Sequence, residues 1–126
     1  MAVVLIVEDE EQVRVLAESY LQEQGHQTVS AATADEALAA LDVTERVDLL
    51  FTDIGLHGEI HAGLDLARQA VERRPELRVL YSTGQGVTDG MIAMFVKNSA
   101  MLPKPYTVDQ LQQSLAIHFG IKPVSS

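Results

Sequence analysis

Short apolar runs alternate with helical stretches along the whole chain, and this alternation limits the folds open to it. Val3–Val7 ("VVLIV") is apolar without a break, the pattern of a strand buried on both faces. Val13, Leu16, Ala17, Tyr20 and Leu21 follow at helical spacing, and Gly25 is placed to stop the helix. Thr28–Ala31 reads as a weak strand. Thr33 and Glu36 form a capping box that opens a helix carrying Ala37, Leu38 and Leu41. Leu49–Thr52 is a third strand. Leu64, Ala67 and Val71 mark a third helix that ends before Pro75. Val79–Tyr81 is a strand, Met91–Val96 lies in a fourth helix, and Ala100–Leu102 is a short last strand. Thr107 and Gln110 cap a final helix carrying Leu111 and Leu115.

Five strands alternating with five helices predict an α/β fold with a parallel sheet covered on both faces. Right-handed crossovers leave few topologies, and five strands suit the flavodoxin-like (βα)5 doubly wound sandwich of order 2-1-3-4-5. Pro103 agrees with that order, because strand 5 is then an edge and an edge tolerates a residue with no amide hydrogen. At 126 residues the chain is expected to be one domain over 1–126, with its core at about 3–119.

In such a sheet, ligands bind beyond the carboxyl ends of the strands, where the strand order reverses. The sequence gathers its polar chemistry at those ends. Strand 1 runs into Glu8 and Asp9, strand 3 into Asp53, strand 4 into Ser82, Thr83 and Gly84, and strand 5 into Lys104. Strands 1 and 3 are neighbours about 4.8 Å apart. Carboxylates at that separation repel by roughly 3 kcal/mol at an effective dielectric of about 20. A cation is therefore expected, and Mg²⁺ is the expected one, since the donors are hard oxygens and the chain has no cysteine. A divalent cation, a lysine and a hydroxyl around one aspartate are the parts that phosphoryl transfer needs. Glu10 and Glu11 have a plainer role, as negative charge at the positive end of the first helix.

These residues closely resemble the receiver domain of two-component response regulators, from about Val3 to about Phe119. The resemblance implies that Asp53 is the phosphoacceptor. It implies that Asp9 binds Mg²⁺ directly, with Glu8 as its partner and the backbone carbonyl of Gly55 as a further ligand. Ser82 matches the hydroxyl that moves toward the phosphoryl group, the Thr83 amide binds that group, and Lys104 matches the lysine that contacts it. The Lys104–Pro105 bond is usually cis in the family. The donor is a sensor histidine kinase or a histidine phosphotransfer protein, docking near Val13, Arg14, Leu16, Pro105 and Tyr106. The signal then passes to the face of helix 4, strand 5 and helix 5. Such a domain is a signalling phosphoacceptor rather than an enzyme acting on a free substrate, though it catalyses its own phosphorylation and its slow dephosphorylation.

Four positions depart from the family pattern. Residue 101, usually an aromatic switch, is Met101, whose flexible thioether can fill vacated space. Residue 57, usually Pro, is His57. Gly55 and Gly84 stand where side chains tune hydrolysis, so nothing there orients an attacking water, and slow dephosphorylation is expected.

Other readings are weaker. "HGEIHAG" carries His57, Glu59 and His61, but Gly55, Gly58 and Gly63 argue for a solvated loop rather than a zinc site. Met91, Met94 and Phe95 read as core. An aspartyl phosphatase usually has a second acid two residues after its nucleophile, where this chain has Gly55. A flavin mononucleotide carrier needs a phosphate loop after strand 1, where this chain has four acids. A pseudo-receiver that only binds partners is the remaining alternative. A net charge of −9 argues against nucleic acid and anionic membranes as partners. The N-terminal apolar run is too short for a signal peptide or a membrane span. A cytoplasmic, stand-alone receiver is expected, with a receiver excised from a longer protein as the other possibility. It is expected to be a monomer or a weak phosphorylation-linked dimer, and its downstream target is not legible.

Overall fold

The computed structural model describes residues 1–84 and 86–124. Strands and helices alternate as β1 (Val3–Val7), α1 (Glu11–Glu23), β2 (Gln27–Ala31), α2 (Ala34–Val43), β3 (Leu49–Asp53), α3 (Ala62–Arg73), β4 (Arg78–Thr83), α4 (Asp89–Ala93), β5 (Ser99–Pro103) and α5 (Val108–Phe119). The five strands form one sheet in the order β2-β1-β3-β4-β5. All neighbours are parallel, with Val7 beside Thr52, Asp53 beside Ser82, and Ser82 beside Leu102. This is the doubly wound sandwich expected from the alternation, with Pro103 on the outer strand.

Period-two alternation divides the strand side chains between two cores. Val4, Ile6, Leu49, Phe51, Leu80 and Leu102 pack with α1 and α5 through Ala17, Leu21, Leu111 and Leu115. Leu5, Val7, Leu50, Val79 and Tyr81 pack with α2, α3 and α4 through Leu41, Leu64, Ala67 and Met91. Truncating one of these fully buried leucines to alanine would cost about 2–5 kcal/mol.

The helix ends follow local chemistry. After α1, Gly25 adopts φ +91°, and the amides of Gly25 and His26 return to the carbonyls of Gln22 and Leu21. At α5 the capping box is complete, with Thr107 Oγ1 accepting from the Gln110 amide and Gln110 Oε1 accepting from the Thr107 amide.

Three expectations are corrected. At α2, Thr33 Oγ1 accepts from the Glu36 amide, but Glu36 reaches back to the Ala32 amide, so the box is only half formed. The fourth helix spans Asp89–Ala93, not Met91–Val96. Thr88 caps it earlier than expected. It ends early because the Val96 amide donates to the Tyr81 hydroxyl at 3.1 Å, not to a helical carbonyl. Consequently Met91 is buried, Phe95 is half-buried against the Tyr81 ring, and Met94 lies 41% exposed rather than in the core. Finally, Gly63 is not a loop residue but sits in the first turn of α3. A Cβ there would lie 1.8 Å from the Asp53 carbonyl oxygen, so only glycine lets α3 start this close to β3.

Candidate functional site

The carboxyl ends of β1, β3 and β5 bring Glu8, Asp9, Asp53 and Lys104 together. Glu8 and Asp53 are buried, at 4% and 8% exposure. The Lys104 ammonium lies between them, 2.9 Å from Asp53 Oδ2 and in contact with Glu8 Oε1. Glu10 stands 3.9 Å from the same nitrogen. Burial pushes both the Glu8 and the Asp53 carboxyl above their ordinary values, against the pull of Lys104. Burial also works against the Lys104 charge, but its bonds to Glu8 and Asp53 prevail and hold its proton more tightly than in an ordinary lysine. Tyr106 lies beside this cluster, and burial followed by the Glu8 charge pushes its hydroxyl up to about 12.

Asp9 has a different environment. Burial acts upward on it, yet hydrogen bonds outweigh that and hold its carboxyl below the ordinary value, the His57 amide first among them. Glu8, Asp9 and Asp53 each bring one carboxylate oxygen within 4.8 Å of the others. Three hard oxygens that close are a donor set of the kind Mg²⁺ takes. The Gly55 amide donates to Asp53 Oδ1 at 3.3 Å, which fixes the start of the loop after β3.

A cavity of about 320 Å³ opens over Asp53, bordered by Asp9, Gly55, Thr83, Gly84, Met91 and Lys104. Ser82 does not border it. Its position along β4 has the parity of Leu80, on the α1 and α5 side of the sheet, whereas Thr83 has the parity of Val79 and Tyr81. Met101 is half-buried and packs on the Tyr81 side. Ser82 and Met101, expected to work as a switch pair, therefore belong to opposite faces, and the hydroxyl on the face of Met101 is Thr83. An apolar run ending in "YST" does not reveal which hydroxyl faces which layer.

Beside the cavity, Val13, Leu16, Pro105 and Tyr106 line a second concavity of about 410 Å³, reaching Glu10 and Lys104. Four of the five expected docking residues meet there. Arg14 does not, because its guanidinium donates to the Glu8 carbonyl at 2.8 Å and lies 3.8 Å from Glu18. The Lys104–Pro105 peptide is cis.

Residues 57–61 of "HGEIHAG" form an exposed loop, as expected, and its first residue also makes specific contacts. His57 takes φ +51°. Its amide donates to Asp9 Oδ2 at 2.9 Å, and its ring Nε2 lies 2.9 Å from the Ala32 carbonyl. Its only signal in the sequence was its place four residues after Asp53.

Among the described residues, no helix is long and apolar enough to cross a membrane. A family profile described as the response regulator receiver domain matches residues 4–116. The nitrogen assimilation regulatory protein NtrX of Azorhizobium caulinodans is 31% identical over 109 residues, which are 86% of this chain and 24% of that protein. The DNA-binding transcriptional regulator NtrC of Salmonella typhimurium is 29% identical over 109 residues, 86% of this chain and 23% of its own. The chain thus spans about a quarter of the length of these curated relatives. NtrX from Brucella abortus, solved in complex with ADP, superposes with a TM-score of 0.80 at 31% identity, over 95% of this chain and 27% of that one. A response regulator receiver protein from Sinorhizobium medicae shares the fold at a TM-score of 0.82 and 24% identity, over 94% of both chains. With the profile matching most of its length, the chain belongs to the response regulator receiver domain family.

Proposed function

We propose that this domain takes a phosphoryl group onto Asp53 from the phosphohistidine of a sensor histidine kinase or histidine phosphotransfer protein. The observation that carries the reading is the Lys104 ammonium held 2.9 Å from Asp53 Oδ2 inside a buried group of acids. An Asp53 oxygen attacks phosphorus in line, the P–N bond breaks, and the histidine nitrogen leaves with the electron pair. Lys104 neutralises a phosphoryl oxygen as charge develops there. Glu8, Asp9, Asp53 and the Gly55 carbonyl would hold Mg²⁺, which would add charge neutralisation there. The donor seats against Val13, Leu16, Pro105 and Tyr106, next to the cavity that opens on Asp53.

Thr83, rather than Ser82, is the hydroxyl that meets the phosphoryl group. Its movement frees space on the face of Met101, and Met101 takes the place of the usual aromatic switch. The change reaches the α4, β5 and α5 face through Tyr81, whose ring stacks on Phe95 at 4.4 Å. Hydrolysis of the acyl phosphate resets the domain.

The test is the intact-protein mass after incubation with a small-molecule phosphodonor, with and without Mg²⁺, beside Asp53→Asn. A single Mg²⁺-dependent phosphoryl adduct, absent in the variant, is expected. An adduct that persists in Asp53→Asn would refute the assignment.

A further inference from the structure

We infer that Glu10 determines which phosphoryl donors this domain accepts, favouring donors whose leaving group is a neutral nitrogen over acyl phosphates, whose leaving group is a carboxylate. The inference rests on the phosphoacceptor reading given above and adds a specificity-determining residue to it.

The backbone holds Glu10 at the site and leaves its side chain uncommitted. Its amide donates to Glu8 Oε2 at 3.1 Å, and its carbonyl accepts the Arg14 amide at 3.0 Å. Glu10 is the N-cap residue of α1, yet its side chain makes no capping bond. The carboxylate is 68% exposed and stands 3.9 Å from the Lys104 ammonium, too far for a hydrogen bond. Lys104 directs its bonds to Glu8 and Asp53 instead. Glu10 therefore brings a negative charge to the site without being tied into the buried cluster.

Its position decides what that charge acts on. The cavity over Asp53 and the concavity of Val13, Leu16, Pro105 and Tyr106 share three border residues, Glu10, Gly84 and Lys104. Gly84 has no side chain, and the Lys104 side chain is only 13% exposed. Glu10 is thus the exposed side chain where the two hollows meet. In-line attack by Asp53 sends the leaving group out on the far side of phosphorus, toward the open side of the cavity. When an acyl phosphate reacts, the P–O bond breaks and the departing carboxylate gains negative charge close to a fixed one. When a protonated P–N bond breaks, the nitrogen keeps the electron pair and leaves as a neutral amine or imidazole. Its N–H can then donate to the Glu10 carboxylate.

Two small donors separate these cases, acetyl phosphate, which releases acetate, and phosphoramidate, which releases ammonia. Labelling rates are read by intact-protein mass for wild type, Glu10→Gln and Glu10→Lys at one Mg²⁺ concentration. The readout is the ratio of the acetyl phosphate rate to the phosphoramidate rate. A general change in metal affinity or folding cancels from that ratio. It should rise about fivefold in Glu10→Gln and further in Glu10→Lys. The gap between the three proteins should close at about 1 M salt, where charges are screened within about 3 Å. An unchanged or lower ratio in both variants, or loss of labelling by both donors, overturns the inference and leaves Asp53 as the phosphoacceptor. If neither donor labels the wild type, the phosphoacceptor reading fails as well.

Discussion

Lys104 reaches Asp53 from two strands away and bonds it at 2.9 Å, while touching Glu8 on the other side. One ammonium is thus shared by two buried carboxylates. Lys104→Met removes that charge and keeps the apolar stem. The variant should lose about 3 kcal/mol of stability at pH 7, since breaking a buried pair strands the remaining charges. Mg²⁺ should recover more of that stability in the variant than in the wild type, because it then supplies the missing positive charge. Urea unfolding with and without Mg²⁺ measures both effects. Equal midpoints for the two proteins in the absence of metal would show that Lys104 is not holding the acids together.

Thr83 and Ser82 differ by one residue and by one face of the sheet. Thr83→Ala should still be phosphorylated, but about tenfold more slowly, a loss of roughly 1.4 kcal/mol of transition-state stabilisation. Its α4 to β5 region should no longer change on phosphorylation. Ser82→Ala should remain close to wild type in both respects. Phosphorylation rates by mass, with amide NMR shifts before and after, decide between them. A normal conformational response in Thr83→Ala would return the switch to Ser82.

The fold was legible because it is written in periodicity. "VVLIV" and "LLF" leave no polar residue for water, so their strands had to lie between two helical layers. Glu8, Asp9, Asp53 and Lys104 were legible because each follows directly where an apolar run stops. Relations between elements were hidden. Nothing local says that the Tyr81 hydroxyl takes the Val96 amide and cuts α4 short, since 15 residues separate them. Nor does "TDIGLHG" reveal that the His57 amide finds Asp9 across 48 residues. Side-chain parity at the end of β4 was hidden for a related reason: "LYST" is short enough that either hydroxyl can be placed inward until the packing of Tyr81 is known.

Among the described residues, Gly55 and Gly84 border the cavity over Asp53 without bringing a side chain to it. A Cβ built on Gly84 meets nothing within 4 Å, and one on Gly55 comes no closer than 3.6 Å to the Glu59 carbonyl. Side chains fit at both positions, so their absence is not forced by packing. The phosphorylated protein should therefore hydrolyse slowly, over minutes or longer. Gly55→Asn places an amide able to orient water and should speed hydrolysis about tenfold, or roughly 1.4 kcal/mol. Loss of the phosphoryl adduct followed by mass gives both rates. A half-life of seconds in the wild type would contradict the account.

His26 lies far from this chemistry and links stability to pH. It is 7% exposed, and its Nδ1 accepts the Ala2 amide at 3.0 Å, a bond that needs an unprotonated nitrogen. Burial, and then the charge of the N-terminal ammonium, hold its pKa below the ordinary 6.5. Above pH 6.5 the ring is neutral in both folded and unfolded chains, and the fold keeps its full stability. As the pH falls through that value the unfolded chain takes up the proton first. Stability is then lost progressively, until the pH passes the lower folded value. In His26→Asn, the side-chain oxygen stands where Nδ1 accepts the Ala2 amide but does not titrate in this range. Urea midpoints measured from pH 7.5 down to pH 5 should fall more steeply for the wild type than for the variant. Parallel curves would mean that His26 does not carry the dependence.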